Sequence, residues 1–186
     1  NTPGRLNIYD ELPFRVIVDH AHNKHGLKAF CAFLNQLDVK GRRIAVLFGI
    51  GDRSDEEIKD NVRIVADCFD YFFCRDPRKL RGRARGEIAA LLASALIEKG
   101  IGKNNIETII DDEAAVDTAL ASARPGDLLV IFMGKIFWDK IKNYSEKTAA
   151  RDRKSTRLNS SHRCISYSVI FLKKEGVGGG GGGGGC

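Results

Sequence analysis

The sequence predicts an α/β fold: a small doubly wound, Rossmann-like sheet that is mostly parallel, with one antiparallel strand at its edge. Short runs rich in β-branched and aromatic residues alternate along the chain with segments of ten or more residues that have helical hydrophobic periodicity. This alternation is typical of βαβ units. The first two apolar runs are separated only by a break at Leu12-Pro13, so we expect them to pair as a hairpin. A chain of 186 residues suits one such domain.

Six strands are expected, and the first two differ in their predicted burial. In the first, Leu6 and Ile8 alternate with polar residues, as in a half-exposed strand. The second, from Phe14 to Val18, is more uniformly apolar and should be more deeply buried. The expected strand ranges are 5–10, 14–18, 43–48, 70–74, 106–110 and 128–132.

Four helices are expected between the later strands. Asn23 can cap the first helix, in which apolar residues from Leu27 to Leu34 recur at helical spacing. Ser54 can cap the second, whose acidic first turn suits the positive end of the helix dipole. The apolar stripe predicted for that second helix consists of Ile58, Val62, Val65 and Phe69. The third and fourth helices are expected over 86–99 and 112–123.

The net charge of +6 gives no reason to expect a nucleic-acid partner. From Arg151 onward seven Lys and Arg face two acidic residues, so residues 1–150 carry only +1 of the total. Cys31, Cys68 and Cys74 have no metal-ligand spacing and are interpreted as reduced thiols. No apolar run reaches the roughly 18 residues of a membrane span, and no signal peptide is recognised. We therefore expect a cytoplasmic protein that binds neither nucleic acid nor membrane.

Residues 151–186 are expected to be a non-native, disordered tail that follows a domain of residues 1–150. From Asp152 the chain reads DRKSTRLNSSH, then ISYSVIFLKK, and it continues into a run of glycines from Gly178 to Gly185. These strings resemble a translated sequencing adapter followed by a guanine artefact. A flexible glycine linker and a basic nucleic-acid arm are the alternatives. No site is assigned to this segment.

A cluster of polar residues, Asp19 to Asn23 (DHAHN), directly follows the second strand. Ligands of open α/β sheets bind beyond the carboxyl ends of the strands, so a site is expected here, beside the loops after the third and fourth strands. The histidines at 20, 22 and 25 would also suit a metal hydrolase. Such a site needs further ligands, and the only other histidine is His162 in the tail. Turn histidines without a ligand role are the other alternative, and no metal site is assigned.

A second motif, Gly49-Ile50-Gly51, follows the third strand. Glycines here would let the backbone approach a pyrophosphate at a helix N-terminus. Ser54, however, stands where the dinucleotide-binding fingerprint has its third glycine, which favours a simple tight turn. The chain contains no Walker A string, so phosphates are not expected to be held by a P-loop within it.

Four stretches, in this order and spacing, resemble the C-terminal domain of the Mur ligase superfamily. They are the Pro3-Gly4-Arg5 turn, the DHAHN motif, the GDRSD string at 51–55 and the loop from Asp76 to Arg83. The resemblance covers about residues 2 to 140, and the phrases GRLNIYDELPFRVIVDHAHN, RIAVLFGIGDR and LRGRARGE are most similar to bacterial cyanophycin synthetases. In two places the chain departs from the family pattern. Lys24 replaces a proline, and MGKIFW at 133–138 replaces a string more like GDKIT, so no site is assigned there.

This resemblance implies the C-terminal part of an ATP-dependent ligase that forms an amide through an acyl phosphate. In cyanophycin synthetases arginine is added to an aspartate side-chain carboxylate. ATP and Mg would be held mainly by a central domain that this chain lacks. The residues that match the family's nucleotide side are Arg5, Asp19, His22 and Asn23. Those that match the side of the incoming amino acid are Asp52, Arg53, Asp76, Arg81 and Arg83. No catalytic residue is assigned.

These residue types suit the implied roles. A carboxylate can accept hydrogen bonds from ribose hydroxyls, and a guanidinium paired with the carboxylate of an amino acid would orient its amine for attack. The simpler alternatives are a turn held by its own ion pair at Asp52 and Arg53, and a solvated basic loop around Arg81.

Several functions and partners follow from the resemblance. The alternative functions are a fragment of a Mur tripeptide ligase or of a folylpolyglutamate-type ligase, and a non-catalytic nucleotide-binding module. The expected partners are ATP, an amino acid (with arginine favoured), a peptide or polymer acceptor, and further copies of the full-length protein. The fragment alone is expected to be inactive.

Overall fold

Strands and helices alternate along residues 6–132, which together with residues 139–148 are the part of the chain that the computed structural model describes. The strands are β1 (Asn7–Tyr9), β2 (Arg15–Asp19), β3 (Arg43–Phe48), β4 (Tyr71–Arg75), β5 (Ile106–Thr108) and β6 (Leu128–Phe132). The helices are α1 (Lys24–Leu34), α2 (Asp55–Ala66), α3 (Glu87–Glu98) and α4 (Asp112–Ser122), with a short 3-10 helix at Lys103–Asn105. Residues 139–148 are helical.

The strands form one sheet in the order β1-β2-β6-β3-β4-β5. β1 pairs with β2 in antiparallel orientation, and all other neighbouring strands are parallel. This confirms the predicted fold class, including the antiparallel edge strand. The carboxyl ends of β2, β3 and β4 therefore lie along the same edge of the sheet, and the loops that follow them share that edge.

Helices cover both faces of the sheet. The buried apolar stripes of α1, α2 and α3 pack on one face and form a single core cluster with alternate strand residues such as Ile17, Leu47 and Phe72. α4 contacts β3, β4 and β6 and buries Val116 and Leu120 among its apolar residues. Because successive strand residues point to opposite faces, the remaining residues of these three strands lie on the side of α4. The doubly wound arrangement is thus confirmed.

Four elements differ in detail from the prediction. β1 is half-exposed as expected, but its buried residue is the polar Asn7, whereas Ile8 is 44% exposed. Ile8 pairs with Ile17 at the sheet edge, and only Ile17 reaches the core cluster. α2 ends at Ala66, so Phe69 lies beyond the helix although it is buried in the same core. β4 extends by one residue to Arg75, and β5 ends two residues early, at Thr108.

Among the described residues, 6–132 and 139–143 belong to one compact unit, and 144–148 are assigned to a second one. The predicted division at residue 150, the tail and the adapter resemblance concern residues outside the described ranges and stay predictions. Within 6–132 and 139–148, no helix is long and apolar enough to cross a membrane.

Candidate functional site

The turn after β2 is held together by its own polar side chains. Asp19 accepts hydrogen bonds on both carboxylate oxygens, from the backbone N–H of Ala21 at 2.7 Å and from that of Leu6 at 2.8 Å. Asn23 accepts from the N–H of Gly26 at 2.9 Å and is the N-cap of α1, as predicted. Both side chains therefore shape the turn, whatever else they bind.

His22 lines a cleft between this turn and the turn after β3. Its Nδ1 is 2.8 Å from the carbonyl oxygen of His20, which fixes the ring. Arg53 and Phe48 line the same cleft from the side of β3, together with Phe132 at the end of β6. The cleft thus joins the predicted nucleotide side to the first residues of the predicted substrate side.

Asn61 also lines this cleft and was not singled out by the sequence. Its side-chain amide donates to the carbonyl oxygen of His22 at 3.3 Å and so ties α2 to the turn after β2. In the sequence, Asn61 is marked only as a polar residue directly before Val62 of the buried stripe of α2. That alone is a weak indication of a site residue.

The turn after β3 passes directly into α2. The side chain of Ser54 caps the helix, and the Glu57 carboxylate accepts a hydrogen bond from the backbone N–H of Ser54, which completes a capping box. The hydrogen bond from the Ser54 backbone holds the pKa of Glu57 below its usual value. Arg53 pairs with Glu57 at 3.3 Å, with both side chains about half exposed.

The loop after β4 contains a tight turn from Leu80 to Arg83, closed by a 3.1 Å hydrogen bond between the backbone N–H of Arg83 and the carbonyl of Leu80. Arg81 and Gly82 have φ values of 50° and 92°, the left-handed sign that mirror-image turns require at both central positions. The turn presents the Arg81 side chain to an ion pair with Asp52, and each side chain is 51% exposed. Two predicted substrate-side residues are thus adjacent and open to solvent.

Gly51 is the point at which the two loops touch. A Cβ at this position would lie 2.1 Å from the carbonyl oxygen of Leu80, closer than any real contact. The glycine is therefore required by contact with the protein backbone, which supports the tight-turn interpretation of Gly49-Ile50-Gly51.

Asp76 is buried and already has two partners. Its carboxylate accepts from the N–H of Gly86 at 2.5 Å and from that of Ala89 at 2.9 Å. Gly86 is the N-cap of α3 and has no side chain with which to cap the helix, so Asp76 caps α3 from ten residues away. With Asp76 only 4% exposed, little of its carboxylate is open to an amino-acid substrate.

Arg75 is a charged residue of this edge that the sequence prediction missed. It is 2% exposed, donates to the carbonyl oxygen of Phe132 at 3.0 Å, and its guanidinium carbon lies 5.7 Å from the ring centre of Phe48. Burial lowers the pKa of Arg75 to about 10. Arg75 thereby joins the ends of β3, β4 and β6, and no sequence signal distinguished it from the loop arginines that follow.

The structure therefore brings most of the predicted site residues to one edge of the sheet. His22 and Arg53 share a cleft, Asp52 pairs with Arg81, and Arg83 contacts the loop around Arg53. Arg5 lies outside the described residues. No group of His, Cys, Asp or Glu side chains that could hold a metal ion occurs in the part of the chain that is described.

The family described as "Mur ligase, glutamate ligase domain" matches residues 4–136 of this chain. The chain belongs to this family. The match spans β1 to β6 and therefore includes every loop of the candidate site.

Curated relatives of this Mur ligase domain include two kinds of ligase. The chain is 35% identical over 131 residues to the cyanophycin synthetase of Geminocystis herdmanii, a match that covers 70% of this chain and 15% of that protein. It is 30% identical over 162 residues to the UDP-N-acetylmuramoyl-L-alanyl-D-glutamate–2,6-diaminopimelate ligase of Solibacter usitatus, covering 81% and 31%. The chain thus spans about a seventh of the cyanophycin synthetases that it matches.

Solved structures show the same fold at lower identity. Escherichia coli FolC in complex with ADP aligns with a TM-score of 0.60 at 24% identity, covering 80% of this chain and 32% of that one. A bifunctional folylpolyglutamate synthase/dihydrofolate synthase from Yersinia pestis, complexed with AMPPNP and Mn, aligns with a TM-score of 0.56 at 23% identity, covering 71% and 28%. These similarities confirm the α/β fold, and the nucleotides and metal belong to those complexes.

Proposed function

We propose that this domain is the C-terminal part of an ATP-dependent acid–amino acid ligase of the cyanophycin synthetase type, which adds arginine to an aspartate side-chain carboxylate through an acyl phosphate. The observation that carries the proposal is that the turns after β2 and β3 and the loop after β4 meet at one edge of the sheet. The chain also belongs to a ligase family.

On the nucleotide side, we propose that Arg5, Asp19, His22 and Asn23 contact ATP when the domain closes on a central domain. Asp19 keeps lone pairs beyond those used by Ala21 and Leu6, because a carboxylate has about four acceptor positions. ATP and Mg would be held mainly by the other domain.

On the substrate side, the ion pair of Asp52 and Arg81 carries the proposal. A half-exposed guanidinium can exchange Asp52 for the carboxylate of an incoming amino acid at little cost, because exposed ion pairs are weak. Asp52 would then be released beside the bound amino acid, where a carboxylate suits a cationic side chain such as that of arginine. Arg53, the residue after Asp52, lines the cleft of His22.

Replacement of Asp19 by Asn tests the nucleotide side. In the longer ligase that carries this domain, Asp19→Asn removes a charged acceptor, which costs roughly 1.5 to 3 kcal/mol if that acceptor holds the ribose. We expect kcat/KM for ATP to fall about ten- to a hundredfold, at ~1.36 kcal/mol per factor of ten. The measurement is ATP-dependent incorporation of arginine into an aspartate polymer, together with melting curves.

The matched control is Asp38→Asn, the same chemical change at an exposed ion pair with Lys40 before β3, at the opposite edge of the sheet. It should leave the rate unchanged. An Asp19→Asn variant that is folded and fully active would place Asp19 outside the site, and a variant that loses its melting transition would make Asp19 a structural residue of the turn. A wild-type ligase that forms no amide would contradict the proposed function itself.

A further inference from the structure

We propose that Arg83 is a positioning residue: it joins the turn after β3 to the loop after β4 through protein contacts and does not itself bind the incoming amino acid. That these loops bind a nucleotide and an amino acid rests on the proposed function. That Arg83 joins them follows from the contacts of its guanidinium group.

The hydrogen bonds of Arg83 use nearly all of its donors. Nε donates to the carbonyl oxygen of Gly51 at 3.2 Å, and Nη2 donates to that of Arg53 at 2.6 Å. Nη1 donates to the Glu87 carboxylate at 2.7 Å and also to that of Asp55. An arginine side chain has five N–H groups, so these four bonds leave one. A bidentate grip on a substrate carboxylate would require some of them to break.

The charges around Arg83 also disfavour a further anion. The hydrogen bond with Glu87, followed by that with Asp55, raises the pKa of Arg83 above its usual value. The same bond from Arg83 lowers the pKa of Glu87 below its usual value. A substrate carboxylate would therefore approach two carboxylates already in place. The Arg83 side chain is 17% exposed, whereas that of Arg81, with one carboxylate partner, is 51% exposed. Of the two arginines, Arg81 is the one open to a substrate.

The acceptors of Arg83 lie on two separate segments. Gly51, Arg53 and Asp55 belong to the turn after β3 and the start of α2, and Glu87 is the first residue of α3. The close approach of Gly51 to the Leu80 carbonyl is a second contact between the same loops. The two loops are consequently held as one body, and the Asp52–Arg81 pair spans the same junction.

This arrangement predicts how the loss of Arg83 would affect binding. If the residue positions both loops, its removal disturbs the cleft at His22 and Arg53 as well as the loop at Arg81. The KM values for ATP and for the amino acid should then rise together. If Arg83 instead binds the carboxylate of the amino acid, only the KM for the amino acid should rise.

Hydrogen exchange on the 186-residue chain tests the structural half. In Arg83→Gln we expect the backbone amides of 52–54 and 80–83 to exchange at least about tenfold faster together, while β6 keeps its protection. Arg83→Lys should behave similarly, because one ammonium group cannot span acceptors on both sides of the loop junction. Arg85→Gln, an exposed arginine two residues away, is the matched control and should leave both segments unchanged. Unchanged exchange in Arg83→Gln would overturn the proposal.

Glu87→Gln weakens one of the four contacts and provides the same test if Arg83→Gln does not fold. It should accelerate exchange in both segments to a smaller extent, and acceleration in neither segment would count against the proposal.

Kinetics of the longer ligase test the functional half. Arg83→Gln is expected to raise the KM for ATP and for the amino acid by similar factors, of about tenfold each. A rise confined to the KM for the amino acid would overturn the positioning role and restore Arg83 to the substrate contacts. If the wild-type ligase forms no amide, the proposed function fails, whereas the exchange result still decides whether Arg83 joins the loops.

Discussion

Asp127 connects the turn before β6 to the residue before β3 through a buried carboxylate. It accepts from the backbone N–H and from Nη2 of Arg42, both at 2.7 Å, and from the N–H of Arg124 at 3.0 Å, with 4% of its side chain exposed. Burial alone would raise its pKa, but the hydrogen bonds from Arg42 and Arg124 outweigh this and hold the pKa of Asp127 below the ordinary 3.8. The folded state therefore prefers the ionised form.

Replacing Asp127 with Asn should reduce stability in a pH-dependent way. Because the pKa is lower in the folded state, the ionised carboxylate stabilises the fold above pH 3.8, and this contribution is lost as the pH falls through the folded-state value. We expect Asp127→Asn to lower the free energy of unfolding by about 2 kcal/mol at pH 7, with a smaller difference at pH 3. Urea unfolding at both pH values measures this. An equal difference at both would contradict the linkage.

At the residue scale, the sequence predicted helix caps well. It did not predict which polar side chains already hydrogen-bond to other parts of the protein. Asn23 and Ser54 cap the helices that begin beside them, since such a cap depends only on local spacing. The bonds of Asp76 to the start of α3 depend on how an entire loop folds back, as do the four bonds of Arg83. Spacing along the chain carries no information about either of these arrangements.

At the scale of elements, the contact between the turn after β3 and the loop after β4 depends on the absence of a side chain at Gly51. A Cβ there would meet the Leu80 carbonyl oxygen at 2.1 Å and its carbon at 2.8 Å, and backbone atoms cannot rotate away. The loops would have to separate to admit even a methyl group.

Gly51→Ala is therefore expected to lower the free energy of unfolding by about 1–3 kcal/mol, the usual cost of overpacking. Gly102→Ala is the matched control, because a Cβ there meets no atom within 4 Å and the residue has a φ of −64°. Urea unfolding of both variants gives the comparison. If Gly51→Ala were as stable as wild type, the close approach of the two loops would be refuted.

The sequence predicted the existence and type of the elements well, because apolar periodicity reports local structure. Three of the four residues predicted for the buried stripe of α2 are buried within that helix, and the uniformly apolar β6 lies where the pattern placed it. The burial of β1, with Asn7 buried and Ile8 exposed, is the reverse of what the alternation of apolar and polar residues predicts.

For the whole molecule, the role of residues 151–186 is a testable prediction. Their resemblance to a sequencing adapter and their glycine run indicate that no packed face compensates for the entropy of ordering them. We expect deletion of 151–186 to change the melting temperature by less than about 2 °C, measured by circular dichroism. A change of ~1 kcal/mol in the free energy of unfolding would shift the melting temperature of a domain of this size by roughly 2–8 °C. A shift of that size on deletion would show that the segment contributes to the fold.

The position of β6 has a consequence for how the protein is made. β6 is the last strand of the sheet to be synthesised, yet it lies between β2 and β3. A ribosome adding roughly 5–20 residues per second needs on the order of ten seconds to proceed from β3 to β6. Throughout that interval the nascent chain has two apolar strands whose common neighbour does not yet exist, and unpaired strand edges are where aggregation begins. The pairing of β6 with β2 and β3 can therefore form only after Phe132 has left the exit tunnel, so the sheet is completed late in the synthesis of this domain.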